Sequence, residues 1–312
     1  FKEKTEYEFM PSLVGSEMCI RDRGYFIDNF FKSAKKGADL VLTLDYNIQF
    51  FAEKLLKEKQ KNLKFESAQI VVLDPNTGKI LALASWPSFD PNQYSRYADN
   101  LEIFKNKVTE ALFEPGSVFK PITFAAALDQ GKITPQTTYQ DKGKVKIGGW
   151  VIYNYNNRVW GEQSMINVLE KSINTGAVFV EKKLGHSLFL YYIEKFGFFE
   201  PTKIDLPEIY SKNLELRKGK EVNFATASFG QGIEMTPIQL LRAYSAIANG
   251  GRLVRPYLVE KIIKNGKVKE IEPELSEPVI SQKTATQLTS CLLYTSDAAD
   301  EGLGVDLGGR RI

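Results

Sequence analysis

The stretch Glu114-Pro115-Gly116-Ser117-Val118-Phe119-Lys120-Pro121 sets a serine three residues before a lysine at the start of a helix-forming run. Gly116 can take the strained turn ahead of the serine. Phe124, Ala127 and Leu128 follow at helical spacing, with Gly131 as a stop. Residues three apart share a helix face, so the Lys120 amine is expected within reach of the Ser117 hydroxyl. A serine attacks poorly unless a neighbouring base takes its proton. A helix N-terminus also offers N–H groups and partial positive charge to an oxyanion. The chain contains one histidine, His186, directly after the helix-ending Gly185. An imidazole-based triad therefore has a single candidate, and its context is a helix boundary. By itself S-x-x-K is a short pattern that arises often by chance.

Ser172-Ile173-Asn174 adds a second pattern. It follows a helical run beginning near Ser164 and precedes another over Ala177 to Leu184. Side chains two apart diverge on a helix, so Ser172 and Asn174 converge only from a turn between the two helices. Thr175-Gly176 is the expected break. For S-x-N alone, a pair of helix-capping side chains is the better explanation.

In this order the two motifs resemble those of the penicillin-binding protein transpeptidases, where S-x-x-K and S-x-N precede K-T-G. The resemblance extends to Asp74-Pro75-Asn76-Thr77-Gly78-Lys79-Ile80-Leu81-Ala82-Leu83-Ala84-Ser85, similar to the family's first hairpin. Phe224-Ala225-Thr226-Ala227-Ser228-Phe229-Gly230-Gln231-Gly232 resembles a segment of the monofunctional, class B branch. Ala243-Tyr244-Ser245-Ala246-Ile247-Ala248-Asn249-Gly250-Gly251 continues it. The match covers about residues 38–290.

Both ends depart from that pattern. Residues 1–23 and 291–312 resemble translated sequencing-adapter sequence, and both cysteines, Cys19 and Cys291, lie in them. The expected organisation is therefore one transpeptidase domain over residues 24–290, incomplete at its C-terminus, between two segments outside the fold. K-T-G is expected beyond residue 290. Lys283-Thr284-Ala285 lacks the glycine and follows a helix-start signal at Ser281, so it reads as a helical tripeptide.

Composition narrows the function classes. The 312 residues carry a net charge of +3, from 41 basic and 38 acidic residues interspersed along the chain. That balance argues against a nucleic-acid surface. No metal-spaced Cys/His cluster, phosphate-binding loop or dinucleotide fingerprint occurs, and no apolar run approaches the ~20 residues of a membrane span. No cofactor is implied.

The elements that must position the motifs are legible. Asp45 is expected to cap a helix with Ile48, Phe51, Ala52, Leu55 and Leu56 as its buried stripe. Strands near 68–73 and 79–85 flank a Pro75-Asn76-Thr77-Gly78 turn, and their apolar character predicts cover on both faces. Ser187 to Phe196 reads as a helix. Thr236, Pro237 and Gln239 form a capping box for a helix to about Ala248. Asn265-Gly266 joins segments 257–263 and 267–271 as a hairpin. Gly230-Gln231-Gly232 reads first as a tight turn on the core and second as part of the site lining. Trp86, Trp150, Trp160 and Tyr153 read as packing residues before groove residues.

The resemblance implies an α/β (α+β) fold of the penicillin-binding-protein/β-lactamase type, an antiparallel sheet between helices plus a helical subdomain carrying S-x-N. It implies a D,D-transpeptidase that cross-links peptidoglycan stem peptides ending in D-Ala-D-Ala and is acylated by β-lactams. Ser117 would be the nucleophile and Lys120 the base. Ser172 would relay a proton, and Asn174 would bind the substrate backbone. Lys120 must then lose basicity, through burial or through the positive charge of the K-T-G lysine. The implied site is the extracytoplasmic face of the bacterial cytoplasmic membrane, with an anchor upstream and a glycosyltransferase among its partners. Two other readings remain: an acyl-serine carboxypeptidase or β-lactamase, and a non-catalytic scaffold.

Overall fold

The structure, a computed structural model, describes residues 37–97 and 99–303. The amino-terminal segment 1–23 lies outside them. Strand β1 (Asp39–Leu42) leads into helix α1 (Tyr46–Leu63), and the hairpin β2 (Ala68–Leu73) and β3 (Ile80–Trp86) comes next. Asp45 caps α1 by accepting the N–H groups of Asn47 and Ile48. Ala52 and Leu56 are buried against Ala82 and Ala84 of β3, with Ile48 beside them.

Phe51 and Leu55, expected in that stripe, are instead 65% and 45% exposed. The hairpin presents a narrow row of alanines, which one ridge at i, i+4, i+8 suffices to cover. Leu56→Ala should thus cost about 2–5 kcal/mol and Leu55→Ala within about 0.5 kcal/mol, measured by urea unfolding. Loss at Leu55 equal to that at Leu56 would mean that α1 is rotated.

The hairpin's opposite face packs through Val71, Leu73 and Leu83 onto Val108, Ile204, Leu258 and Ile238, so it is covered on both sides. β3 is also tied laterally. Ile80 and Gly78 exchange backbone hydrogen bonds with Tyr257, 3.1 and 3.0 Å. Tyr257 leads into β9 (Val259–Lys264), the middle strand of an antiparallel sheet between β1 and β10 (Lys267–Glu270). The β9–β10 turn is Asn265-Gly266, both at positive φ.

The helical part surrounds α2 (Lys120–Asp129), whose first eight residues are all buried. Around it stand α3 (Met165–Glu170), α4 (Asn174–Leu184), α5 (His186–Lys195), α6 (Glu221–Ala227) and α7 (Pro237–Ala248). One core cluster, including Phe124, Val168, Val180, Phe189, Phe224 and Ala246, joins them. The Thr236–Gln239 capping box forms at the start of α7. Short antiparallel pairs cover the outside of α4: β4 (Thr138–Asp141) with β7 (Gly161–Ser164), and β5 (Lys144–Ile147) with β6 (Trp150–Tyr153). Another pair joins β8 (Arg252–Val254) and β11 (Leu275–Pro278).

The last helix, α8 (Gln282–Leu303), corrects the packing expected of the tail. Cys291 is buried and Leu292 packs on the main core, because they continue the face of Ala285 and Leu288 at helical spacing. The expected boundary after residue 290 falls inside this helix. Lys283-Thr284-Ala285 lies in its first turns, where Thr284 donates to the Asp129 carboxylate at 3.0 Å. No helix of the described residues is long and apolar enough to cross a membrane.

Candidate active site

Ser117 lies on a 3-10 turn, Gly116–Phe119, rather than inside the α-helix, which begins at Lys120. Gly116 holds φ +62° there. Three contacts fix the turn. Gly116 N donates to Gly230 O at 2.9 Å, Tyr244 of α7 donates its hydroxyl to Val118 O at 2.6 Å, and Thr123 donates to Ser228 O at 2.8 Å. Ser117 is exposed while Lys120 is 1% exposed, so an accessible hydroxyl sits on a buried amine.

Ser172, in the α3–α4 turn, and Asn174, the first residue of α4, both reach that amine from the helix junction. The break itself falls at Ser172-Ile173, three residues earlier than expected. Lys171 ends α3, and Ser172 takes the left-handed conformation at φ +53°. Its N–H bonds Leu169 O at 3.1 Å and the Ile173 N–H bonds Val168 O at 2.9 Å, the paired closure of a Schellman motif. Glycine or asparagine usually fills such a position. Here a serine does, which points both its carbonyl and its hydroxyl at Lys120. Thr175 and Gly176, expected as the break, belong to α4. Gly176 instead lets α4 approach α3: a Cβ there would lie 2.5 Å from Val168.

The Lys120 Nζ lies 3.1 Å from Ser117 Oγ, 2.9 Å from Ser172 Oγ, 2.6 Å from the Ser172 carbonyl and 2.9 Å from Asn174 Oδ1. The last two oxygens can only accept. A neutral amine has two hydrogens, and these two acceptors use both. The nitrogen lone pair is then left facing the hydroxyls of Ser117 and Ser172, each able to donate. Burial lowers the Lys120 pKa from 10.5 to about 7. Desolvation therefore accomplishes what the sequence left open between burial and a neighbouring positive charge.

The other residues singled out from sequence divide. Gly230 holds φ +81° against the Ser117 turn, and a Cβ on it would sit 2.1 Å from Gly116 O. Gly232 donates its N–H to Glu114 at 3.0 Å, and Gln231 N–H bonds Thr226 O at 3.1 Å. This stretch thus supports the serine turn from behind. His186 is engaged by Glu181 at 2.6 Å and stacks on Phe224, taking no part in the Lys120 cluster. Trp150 is exposed, Tyr153 is half-exposed beside Asn174, and Trp160 packs on the core under Lys171. Asp141 and Asn154 give no signal in the sequence, and Thr175 gives only that of a helix break, because the bonds that join the three span 13 to 34 residues.

A family model described as the penicillin binding protein transpeptidase domain matches residues 68–309. The chain belongs to this family. A peptidoglycan D,D-transpeptidase FtsI homolog of Chlorokybus atmophyticus is 36% identical over 266 residues, covering 80% of this chain and 38% of the relative. Stage V sporulation protein D of Bacillus subtilis is 34% identical over 300 residues, covering 93% and 45%. The transpeptidase-family domain thus spans less than half the length of each relative. Among solved structures, penicillin binding protein 2X of Streptococcus thermophilus superposes with a TM-score of 0.76 at 26% identity, covering 84% of this chain and 39% of that one. A penicillin binding protein 3 of Mycobacterium tuberculosis, complexed with aztreonam, gives 0.75 at 29%, covering 84% and 58%. The mixed α/β architecture implied by the motifs is that of these family members.

Proposed function

We propose that this chain carries the acyl-serine centre of a peptidoglycan D,D-transpeptidase. Ser117 Oγ attacks the carbonyl of the D-Ala-D-Ala bond of a stem peptide while Lys120 Nζ takes its proton. The C–N bond breaks, Ser172 relays a proton to the leaving amine, and D-alanine departs. The amine of a second stem peptide then attacks the Ser117 ester, forming the cross-link and restoring the hydroxyl. The Ser117 N–H is one donor to the oxyanion. Asn174 keeps one side-chain N–H on the Tyr153 carbonyl at 3.1 Å, leaving the other for a substrate carbonyl.

The observation that carries the reading is the Lys120 amine itself, held so that two carbonyl oxygens orient its lone pair toward the two serines. The names of its relatives support peptidoglycan as the substrate and a place in cell-wall synthesis. In the same reading the centre works on the extracytoplasmic face of the membrane, beside a glycosyltransferase that makes the glycan strands. No Lys-Thr-Gly tripeptide occurs in the sequence, so rates are expected to be informative relative to variants of this same chain.

A β-lactam offers a strained amide to the same serine. Intact-mass spectrometry after incubation with a penicillin should show a single adduct in the parent chain and none in Ser117→Ala. An adduct that persists in Ser117→Ala removes Ser117 as the nucleophile. Stem peptide supplied with an acceptor amine then distinguishes amide formation from hydrolysis, the carboxypeptidase alternative.

A further inference from the structure

The Asn174 side chain can orient the Lys120 lone pair only if its oxygen, and not its nitrogen, faces the amine. What enforces that choice lies outside the motif. Helix α4 starts at Asn174, and the residue before it, Ile173, has no side-chain acceptor for the first free N–H groups. Asn154, which lies just after β6, supplies one from another part of the chain: its Oδ1 accepts the Thr175 N–H at 3.0 Å. The preceding carbonyl, Tyr153 O, accepts from Asn174 Nδ2 at 3.1 Å. Two consecutive residues at the end of β6 thus grip two consecutive residues of the helix.

The grip is anchored on one carboxylate. Asp141, 1% exposed, accepts from Asn154 Nδ2 at 3.0 and 3.1 Å, Thr175 Oγ1 at 2.7 Å, Trp160 N at 2.8 Å and Gly143 N at 2.9 Å. Burial alone would raise its pKa, but these hydrogen bonds outweigh burial and hold it below the ordinary carboxylate value. Asp141 therefore stays ionised at neutral pH and keeps Asn154 in one amide orientation, oxygen toward Thr175.

We propose that Asn154, anchored by Asp141, is a positioning residue of the Ser117 centre, holding the start of α4 so that Asn174 presents its oxygen to Lys120. The proposal rests on Ser117 and Lys120 being the reacting pair. Without Asn154 the α4 start and the Tyr153 carbonyl lose their common anchor. Asn174 can then rotate, water reaches the amine, and the lysine regains basicity.

The test reads the amine directly and needs no turnover. The full chain, carrying 13Cε-labelled lysine, is titrated by NMR, with Lys120→Met used to assign the resonance. Among the described residues the amine hydrogen-bonds Ser117, Ser172 and Asn174, and burial is the cause of its lowered value. Tyr139, which touches Thr175, is pushed up to about 12 and remains neutral across the range. The parent chain should titrate near 7 at Lys120. In Asn154→Ala the midpoint should rise by about one unit or more, with about tenfold slower acylation by a fluorescent penicillin near neutral pH.

Thr175→Val keeps the side-chain shape and removes the hydroxyl, with its bond to Asp141 and its contacts to Asn154 Oδ1 at 3.2 Å and the Tyr139 hydroxyl at 3.1 Å. It should shift the midpoint in the same direction by less, and it serves as the test if Asn154→Ala does not fold. Leu56→Ala, under α1, should lower stability and leave the Lys120 midpoint in place. An unchanged midpoint in folded Asn154→Ala or Thr175→Val, with stability lowered as in Leu56→Ala, overturns the positioning role. A parent midpoint near the free-lysine value of ~10.4 would instead overturn Lys120 as the base.

Discussion

Replacing Lys120 with methionine is expected to slow acylation of Ser117 by about 10²–10⁴-fold, the contribution of a positioned general base. Lys120→Arg should be nearly as damaging, since a guanidinium with a pKa above ~12 cannot accept the proton. Stopped-flow acylation by a fluorescent penicillin checks both. Retention of more than about a tenth of the parent rate by the arginine variant, a loss under about 1.4 kcal/mol, would show that charge suffices.

The pH dependence arises from the same group. Burial lowers its pKa from 10.5 to about 7, and only the neutral amine is a base. The acylation rate should therefore rise with pH through about 7 and level off above it; a flat profile between pH 6 and 8 would exclude this base. Stability moves in the same direction. Between pH 7 and 10.5 the unfolded chain holds a proton that the folded chain does not, so raising the pH through that window favours the fold. The stability of the parent relative to Lys120→Met should accordingly improve from pH 7 to pH 10.

Gly230→Ala should produce the second large effect. Its backbone stands at φ +81°, and the added Cβ would meet Gly116 O at 2.1 Å and Gly116 N at 2.6 Å. A left-handed alanine costs about 1–2 kcal/mol, and a backbone clash of this kind adds about 1–3 kcal/mol. Gly266 provides the control: its φ is +76° with nothing within 4 Å, so Gly266→Ala carries only the conformational part. Urea unfolding should therefore show Gly230→Ala losing clearly more than Gly266→Ala. Because Gly116 precedes the proposed nucleophile, the relief of that clash also moves Ser117. A displacement near 1 Å can cost about 10²-fold in acylation rate. Equal stability losses in the two variants would mean that the two glycine segments separate freely.

Gly230 was visible in the sequence as a turn glycine, but its neighbour was not, since Gly116 lies far earlier in the chain. The same limit explains the α1 stripe. Helical periodicity selected Phe51 and Leu55 along with Ala52 and Leu56, yet the width of the alanine row on β3 decided which of them are covered. Thr175-Gly176 reads as a break because glycine disfavours helix interiors. Contact with Val168 overrides that preference and reserves the turn for Ser172.

By itself the sequence determined the features that local chemistry dictates. It placed a serine one turn ahead of a lysine, set S-x-N at a helix junction, and specified the capping box at Thr236 and the hairpin at Asn265-Gly266. It also kept Lys283-Thr284-Ala285 on a helix. These depend on backbone preferences and hydrogen bonds within a few residues. Tertiary structure alone decided that the Lys120 amine is buried, that two carbonyls aim its lone pair, and that Asp141 and Asn154 hold the helix bearing Asn174. Burial and hydrogen-bond direction are properties of what surrounds a group, and the two oxygens that accept from Lys120 come from a segment more than 50 residues away.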